Sequence, residues 1–288
     1  MKENSMNILL SFNSNYYQLA RILIISLMEF HNDLHFYICY SDLTNREQKK
    51  IKQLVKSNKA TFIKVHNNIF DNFERPHYVS KETWYRLFLW EKIDVDKIMY
   101  MDVDMVINGN IRGLYDSDLK NDKYLITACQ DIGKVDFKSV YEGMGLENAP
   151  YFNAGIIVFN ISRMKKNKIT AKSIIEYAFK EKTNLKIADQ DALNGYFYGK
   201  VNFQNPYVYN FLVKSDIVKK DTKDEIKVYH YATPRKPNEL KYTGDYHDIF
   251  KKYAYLDKEY AIRYHCIFAI NKMARIVKKI IKRKKIKL

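Results

Sequence analysis

The sequence has few of the residues that mark fibrous, disulfide-rich or membrane-spanning proteins. Its 288 residues include only 9 glycines and 5 prolines, which excludes a collagen-like or low-complexity chain. The 3 cysteines are far apart and form no CxxC pair, so neither a disulfide framework nor a zinc ribbon is indicated. No run reaches the roughly 18 apolar residues of a membrane-spanning helix. We therefore expect reduced thiols in a cytoplasmic protein.

Positive charge is abundant, and more than half of the excess lies in one segment. The chain has 49 Lys and Arg against 33 Asp and Glu, a net charge of +16. Nine of the basic residues and no acid lie in 272–288, where apolar residues also recur at helical spacing. A basic amphipathic helix of this kind is typical of attachment to an anionic membrane surface. We expect a peripheral protein on the inner face of the cytoplasmic membrane.

Nucleic acid is the other anionic partner that a basic protein suggests. Here the charge is concentrated in the tail, and no recognition motif of a nucleic-acid-binding fold is present. We therefore predict no nucleic-acid partner.

Short apolar runs alternate with segments of helical spacing over the first hundred residues, which predicts an α/β fold with a parallel sheet between helices. The predicted strands are 6–12, 34–40, 60–65, 97–101, 124–129, 152–159 and 228–231. The predicted helices are 16–30, 45–56 (with Thr44 as cap), 83–91, 170–183 and 189–198 (with Asp189 as cap). We divide the chain into a body, 1–250, and a helical basic C-terminal segment, 251–288.

Two aspartates one residue apart, Asp102 and Asp104, follow the apolar strand KIMYM. Burying carboxylates is costly without compensation, and residues i and i+2 of a strand share one side. Such a pair suits Mn²⁺ or Mg²⁺, with phosphate oxygens completing the shell.

Two enzyme classes place this DxD pattern after a strand. In nucleotide-sugar glycosyltransferases it holds the metal and the diphosphate. In haloacid-dehalogenase-type phosphatases the first aspartate, here Asp102, is the nucleophile, and the segment GDYHD at 244–248 could serve as a loose metal loop. The phosphatase motif usually lies on the first strand, whereas three predicted strands precede it here.

Three later segments add polar residues at element ends. Asn153 and Gly155 lie in FNAG at the start of an apolar strand, and ADQDALNG at 188–195 begins a helix. His230 lies in the last predicted strand and Lys236 follows it, and they offer a third metal ligand and a cation for a diphosphate.

The order DxD, FNAG, DQDxLN and H-x5-K-P resembles glycosyltransferase family 8, nearest to the bacterial lipooligosaccharide galactosyltransferases, over about 6–237. The resemblance implies a GT-A fold, a Rossmann-like nucleotide-binding mixed sheet flanked by helices, as the catalytic domain 1–250. It also implies Mn²⁺-dependent (or Mg²⁺-dependent) transfer of galactose or glucose from a UDP-sugar, with retention of configuration. The acceptor would be a cell-surface saccharide or glycolipid.

The resemblance also implies roles for individual residues. The metal ligands would be Asp102, Asp104 and His230. The UDP-sugar would be bound by Asn13, Asn15, Tyr16, Arg86, Asp102, Val103, Asp104, Thr233 and Lys236. The catalytic centre around the transferred sugar would contain Asn153, Asp189 and Gln190. Because the amide of Gln190 is a poor nucleophile, we expect same-face attack by the acceptor, with Gln190 stabilising charge.

The chain departs from the family pattern at three positions. Thr233 and Asn238 replace the Gly and Trp of the last motif, and Asn13 replaces an acidic residue of the first. A glycine at 233 would let the backbone approach a phosphate closely, so we expect Thr233 to reshape that contact. Asn13 can still donate and accept hydrogen bonds to uracil.

Overall fold

The computed structural model describes residues 5–66, 69–71, 73, 81–117, 123–133, 136–147, 149–213, 225–239 and 242–262. The strands are β1 (Met6–Phe12), β2 (Leu34–Tyr40), β3 (Lys59–Lys64), β4 (Lys97–Met101), β5 (Met105–Ile107), β6 (Ile126–Gln130), β7 (Phe152–Asn160), β8 (Val201–Gln204), β9 (Phe211–Leu212) and β10 (Val228–His230). The α-helices are α1 (Tyr17–Met28), α2 (Asn45–Val55), α3 (Arg112–Tyr115), α4 (Phe137–Gly143), α5 (Ile161–Lys166), α6 (Ala171–Lys180), α7 (Ala188–Tyr196), α8 (Pro206–Tyr209) and α9 (His247–Ala254).

Within the described residues, a seven-stranded sheet has the order β3-β2-β1-β4-β7-β6-β8. Strands β1 to β4 are parallel, β7 runs antiparallel between β4 and β6, and β8 is parallel to β6. A smaller sheet has the order β5-β10-β9. The predicted α/β class with a mixed sheet is therefore confirmed.

The central strand β1 shows why the sheet is covered on both faces. Its side chains alternate, so Ile8 and Leu10 join one buried cluster with α1 and α2, while Leu9 joins a second with Trp84 and Trp90. A strand buried on both faces reads as a continuous apolar run, as MNILLSF does.

The sequence predicted the bounds of β1, β2 and β4 correctly, and the helix at 45–56 within one residue. Thr44 caps α2 as predicted, in a reciprocal capping box with Glu47. The helix start at 189 was wrong in one respect, because Ile187 occupies the cap position and Asp189 lies inside the first turn of α7.

The predicted helix 83–91 is instead two 3₁₀ segments, Lys81–Leu87 and Leu89–Lys92. Two carbonyls that an α-helix would use are engaged by side chains. Ser11 Oγ donates to the carbonyl of Glu82 at 3.1 Å, and Arg86 Nε donates to that of Thr83 at 2.9 Å. These side-chain hydrogen bonds anchor the first of the two segments, and short pieces of this kind are where 3₁₀ structure usually occurs.

The predicted boundary at 250 falls within α9, and the residues that follow, up to 262, pack on the body. Arg21 in α1 pairs with Asp257 through Nε and Nη2, both at 2.8 Å, and Tyr260 is buried beside them. The predicted basic tail lies outside the described residues from 263 onward. Among the residues described, no helix has the length and apolar composition to cross a membrane.

Candidate functional site

Several strands bring their polar ends to one edge of the large sheet. The carboxyl ends of the parallel strands β1, β4 and β6 lead to Asn13, Asp102 and Asp131. Because β7 runs the opposite way between β4 and β6, its beginning, with Asn153, lies at the same edge. Ligands of open α/β sheets bind at this edge.

Asp102, Asp104 and His230 converge there, each offering a ligand atom within 4.8 Å of the others. His230 lies opposite Met105 in the β10–β5 pair, which brings its Nε2 to 3.3 Å from Asp104 Oδ1 and 3.8 Å from Asp102 Oδ2. Gly155 makes room for this approach, because a Cβ at that position would overlap the imidazole ring. The glycine of FNAG therefore leaves the space that the His230 ring occupies.

The donor set fits a divalent cation. Two carboxylates and one imidazole are hard to intermediate ligands suited to Mn²⁺ or Mg²⁺. Asp104 Oδ1 is buried and has no hydrogen-bond donor, which is expensive unless something else compensates it. Among the described residues, the group of His, Cys, Asp and Glu side chains arranged for a metal is this one, and no residue of 244–248 belongs to it.

Lys236 lies directly beside this group. Its Nζ is 2.6 Å from Asp104 Oδ2 and also donates to the carbonyl of Tyr231. Burial raises the pKa of Asp104, but the charge of Lys236 is the largest of the opposing effects, which hold that pKa well below its usual range. Burial lowers the pKa of Lys236, yet Asp104 reverses this and the pKa is raised. A fixed positive charge therefore faces the metal ligands.

A second cation, Arg86, is buried between two carboxylates. Its Nη2 donates to Asp102 Oδ1 at 2.9 Å, and its Nε lies 2.8 Å from Asp189 Oδ2. Thr83 Oγ1 donates to Asp189 at 2.8 Å, and Tyr100 Oη donates to Asp102 at 2.7 Å. Burial raises the pKa of Asp189 to about 6, although Arg86 and Thr83 oppose the shift. These contacts fix Asp102 and Asp189 on either side of one guanidinium group.

A chain of polar side chains joins the metal ligands to α7. His230 Nδ1 lies 2.9 Å from Asn210 Oδ1, and Asn210 Nδ2 donates to Asn153 Oδ1 at 3.0 Å. Asn153 Nδ2 and Gln190 Nε2 both donate to Asp131 Oδ2, at 3.0 and 3.1 Å. All five side chains are buried. The structure thus brings two predicted residues of the sugar site, Asn153 and Gln190, into contact with one carboxylate.

Sequence reasoning missed Asp131 and Asn210. Asp131 carries the same signal as Asp102, an aspartate that ends an apolar strand, and could have been found by it. Asn210 lies between a four-residue helix and a two-residue strand, and no sequence pattern marks it. Asp191, which lies in the same turn of α7 as Gln190, has a structural role. It accepts hydrogen bonds from the backbone of Lys186 and Ile187 and from Tyr151.

The residues predicted to contact the nucleotide lie in the turn after β1. Asn13 Oδ1 accepts from the Asn15 amide at 3.1 Å, and its Nδ2 donates to Glu82 Oε2 at 3.0 Å. Asn15 is exposed, and Tyr16 is half-buried. Burial raises the pKa of Tyr16, with Lys236 opposing the shift. Glu82, which sequence reasoning also missed, is buried and orients the amide of Asn13.

The remaining predicted residues lie close by. Val103 is buried between the two aspartates. Thr233 lies in the loop after β10, where its Oγ1 donates to the carbonyl of Arg235 at 2.6 Å. Its φ is not in the left-handed region. The loop therefore accommodates a threonine without backbone strain, although the family pattern has glycine there.

Comparison with known proteins shows the family and the fold. The family model Glycosyl transferase family 8 matches residues 7–238. A Haemophilus influenzae protein assigned as a glycosyltransferase is 33% identical over 244 residues, 81% of this chain and 72% of that protein. The lipopolysaccharide 1,2-glucosyltransferase of Escherichia coli is 23% identical over 81% of this chain and 72% of its own. A crystal structure of the galactosyltransferase LgtC with donor and acceptor sugar analogs superposes with a TM-score of 0.73, at 24% identity, over 86% of this chain and 95% of that chain.

The chain therefore belongs to glycosyltransferase family 8, and its fold matches the GT-A fold of LgtC. The family match favours the glycosyltransferase interpretation of the DxD pattern over the phosphatase.

Proposed function

We propose that this family 8 glycosyltransferase moves galactose or glucose from a UDP-sugar to a cell-surface saccharide or glycolipid, with retention of configuration. The observation that carries the proposal is the convergence of Asp102, Asp104 and His230, with an unbonded buried carboxylate oxygen, beside two fixed cations. A group of metal-ligating side chains next to fixed positive charges suits a diphosphate bound through a metal ion.

Departure of UDP requires neutralisation of its charge. A divalent cation on Asp102, Asp104 and His230 would supply most of that neutralisation. Lys236 is placed to contact the diphosphate, because its ammonium is held at the edge of the same ligand set. Arg86 orients Asp102 through a hydrogen bond, and on its other side it would hold Asp189 for contact with sugar hydroxyls.

The contacts of Gln190 support a non-nucleophilic role. Its Oε1 accepts the backbone N–H of Ala154 at 3.0 Å, and its Nε2 donates to Asp131. An amide oxygen already engaged by a backbone donor is a weaker nucleophile still. The acceptor hydroxyl would therefore attack C1 from the face that UDP leaves. Its proton would pass to the departing phosphate oxygen as the C1–O bond to UDP breaks.

This role of Gln190 has a direct test. Gln190→Ala should lower kcat less than a thousandfold, since the variant loses charge stabilisation and retains the metal and diphosphate contacts. A larger loss, with UDP binding unchanged, would contradict the supporting role.

The overall function is tested by hydrolysis of donor sugars. UDP-galactose, UDP-glucose and the UDP-N-acetylhexosamines are compared with Mn²⁺ and then with EDTA. We expect slow UDP release from one hexose donor, lost with EDTA and in Asp104→Asn but retained in Asp116→Asn, a surface control. Absence of any Mn²⁺-dependent binding of UDP in the same samples would overturn the proposal.

We further propose that the basic segment 272–288 attaches the enzyme to anionic membrane, near a lipid-linked acceptor. A chain ending at 262 should lose sedimentation with anionic liposomes and keep transfer to soluble sugars, because the described part of the site lies before that point. Unchanged sedimentation of the shortened chain would refute the attachment.

A further inference from the structure

We propose that Asn210 is a positioning residue that decides which nitrogen of His230 carries the proton. It fixes a hydrogen on Nδ1, so that Nε2 is the ring nitrogen left to face the two aspartates. The inference rests on the proposed function only in taking the cation site as the one that His230 serves.

The proton position follows from one backbone group. The N–H of Gly155 can only donate, and it donates to Asn153 Oδ1 at 3.0 Å. That oxygen is therefore fixed in place, and Asn153 Nδ2 points to Asp131, an acceptor. The atom of Asn210 facing Asn153 Oδ1 at 3.0 Å must then be its NH₂ group.

The orientation of the Asn210 amide determines that Nδ1 of the His230 ring carries a hydrogen. With its NH₂ group committed to Asn153, its Oδ1 faces His230 Nδ1 at 2.9 Å. An amide oxygen only accepts, so Nδ1 must carry the hydrogen. Nε2 is then the ring nitrogen available to a cation, and it lies 3.3 Å from Asp104 Oδ1.

The hydrogen bonds of Asn210 and Asn153 disfavour the other tautomer of His230. A ring with its hydrogen on Nε2 could donate to Asp104 Oδ1 and close the site on itself. The side chains of Asn210 and Asn153 are buried, at 1% and 8% exposure. Partners of the other nitrogen commonly set the tautomer of a metal-ligating histidine. Asn210 thus assigns Nε2, and not Nδ1, to a cation.

The tautomer is read directly in the metal-free protein. Long-range ¹H–¹⁵N spectra at pH 8 of protein labelled at its 7 histidines report which ring nitrogen is protonated, and loss of signals in His230→Gln assigns the residue. We expect the Nδ1–H form in the wild type and the Nε2–H form in Asn210→Leu. Asn210→Asp, which retains an acceptor, should keep the Nδ1–H form.

Asn202→Leu is the matched control. Asn202 is a half-buried amide that bonds Thr127 and does not touch His230, so its loss should leave the tautomer unchanged. An Nε2–H form in the wild type, or an unchanged Nδ1–H form in Asn210→Leu, overturns the inference.

Metal affinity gives a second, separate measurement. Binding of Mn²⁺ in the presence of UDP should weaken about 10- to 100-fold in Asn210→Leu and stay unchanged in Asn202→Leu. Equal affinity in the two variants would also overturn the inference. If the wild type binds no Mn²⁺, the proposed function fails, whereas the tautomer result still decides the role of Asn210.

Discussion

Asp189 should make the stability of the metal-free protein depend on pH. Burial raises its pKa to about 6 in the folded protein, against about 3.9 for an aspartate in an unfolded chain. Between these values the folded state binds more protons than the unfolded state. The free energy of unfolding therefore falls as the pH rises from about 4 to about 6.

The size of the effect follows from the two pKa values. A difference of about two pKa units, at about 1.4 kcal/mol each, gives about 3 kcal/mol. Asp189→Asn keeps the shape of the side chain and removes the titration. Relative to this variant, the wild type should lose about 3 kcal/mol of stability between pH 4 and pH 7. The lowered pKa of Asp104 also contributes to stability, and that contribution is lost only below about pH 4. Both proteins contain Asp104, so its contribution cancels in the comparison.

Urea unfolding followed by tryptophan fluorescence measures this difference, because Trp84 and Trp90 are both fully buried. Unfolding free energies of wild type and Asp189→Asn are compared from pH 4 to pH 7.5 with EDTA present. Asp116→Asn, on the surface, should follow the wild type at every pH. If the unfolding free energies of wild type and Asp189→Asn change in parallel with pH, burial does not outweigh Arg86 in setting the pKa of Asp189, and the reasoning is refuted.

Three further substitutions test other contacts. Arg86→Met leaves two carboxylates without their buried cation and should cost about 3–5 kcal/mol in urea unfolding, whereas Lys172→Met, from an exposed pair, should cost less than about 1 kcal/mol. Lys236→Met removes the proposed charge-assisted hydrogen bond to the diphosphate, and a bond of this kind is worth about 1.5–3 kcal/mol, so calorimetry should show UDP binding weakened roughly 10- to 150-fold, with the exposed Arg235→Met unchanged. Asp257→Ala breaks the buried bidentate pair that holds the end of the described chain and should lower stability by about 3 kcal/mol, and an unchanged melting temperature would contradict this.

The site was partly predictable because its residues follow strands that the sequence marks clearly. Asn13 and Asp102 follow the apolar strands β1 and β4, and His230 is the last residue of β10. The parallel order brings the ends of β1 and β4 to one edge. What the sequence did not predict is the reversal of β7 between β4 and β6. That reversal places Asn153 beside Asp131, and alternating periodicity carries no information about strand direction.

Short strands and helices also escaped prediction from the sequence. Within the described residues, the strands and helices that sequence reasoning missed are two to eight residues long, too short for periodicity to show. Asn210 lies in that part of the chain, and its partner His230 is 20 residues away. Its role depends on a hydrogen-bond chain that begins at a backbone amide, and only a three-dimensional structure reveals such a chain.

The account depends most on the cation site, and calorimetric titration of UDP tests that site most directly. Titrations with Mn²⁺ and with EDTA are compared in the wild type, Asp104→Asn and the surface variant Asp116→Asn. We predict binding that requires Mn²⁺ in the wild type and Asp116→Asn and is lost in Asp104→Asn. UDP binding of equal strength with and without Mn²⁺, or unaffected by Asp104→Asn, would contradict the assignment of Asp102, Asp104 and His230 as the metal ligands.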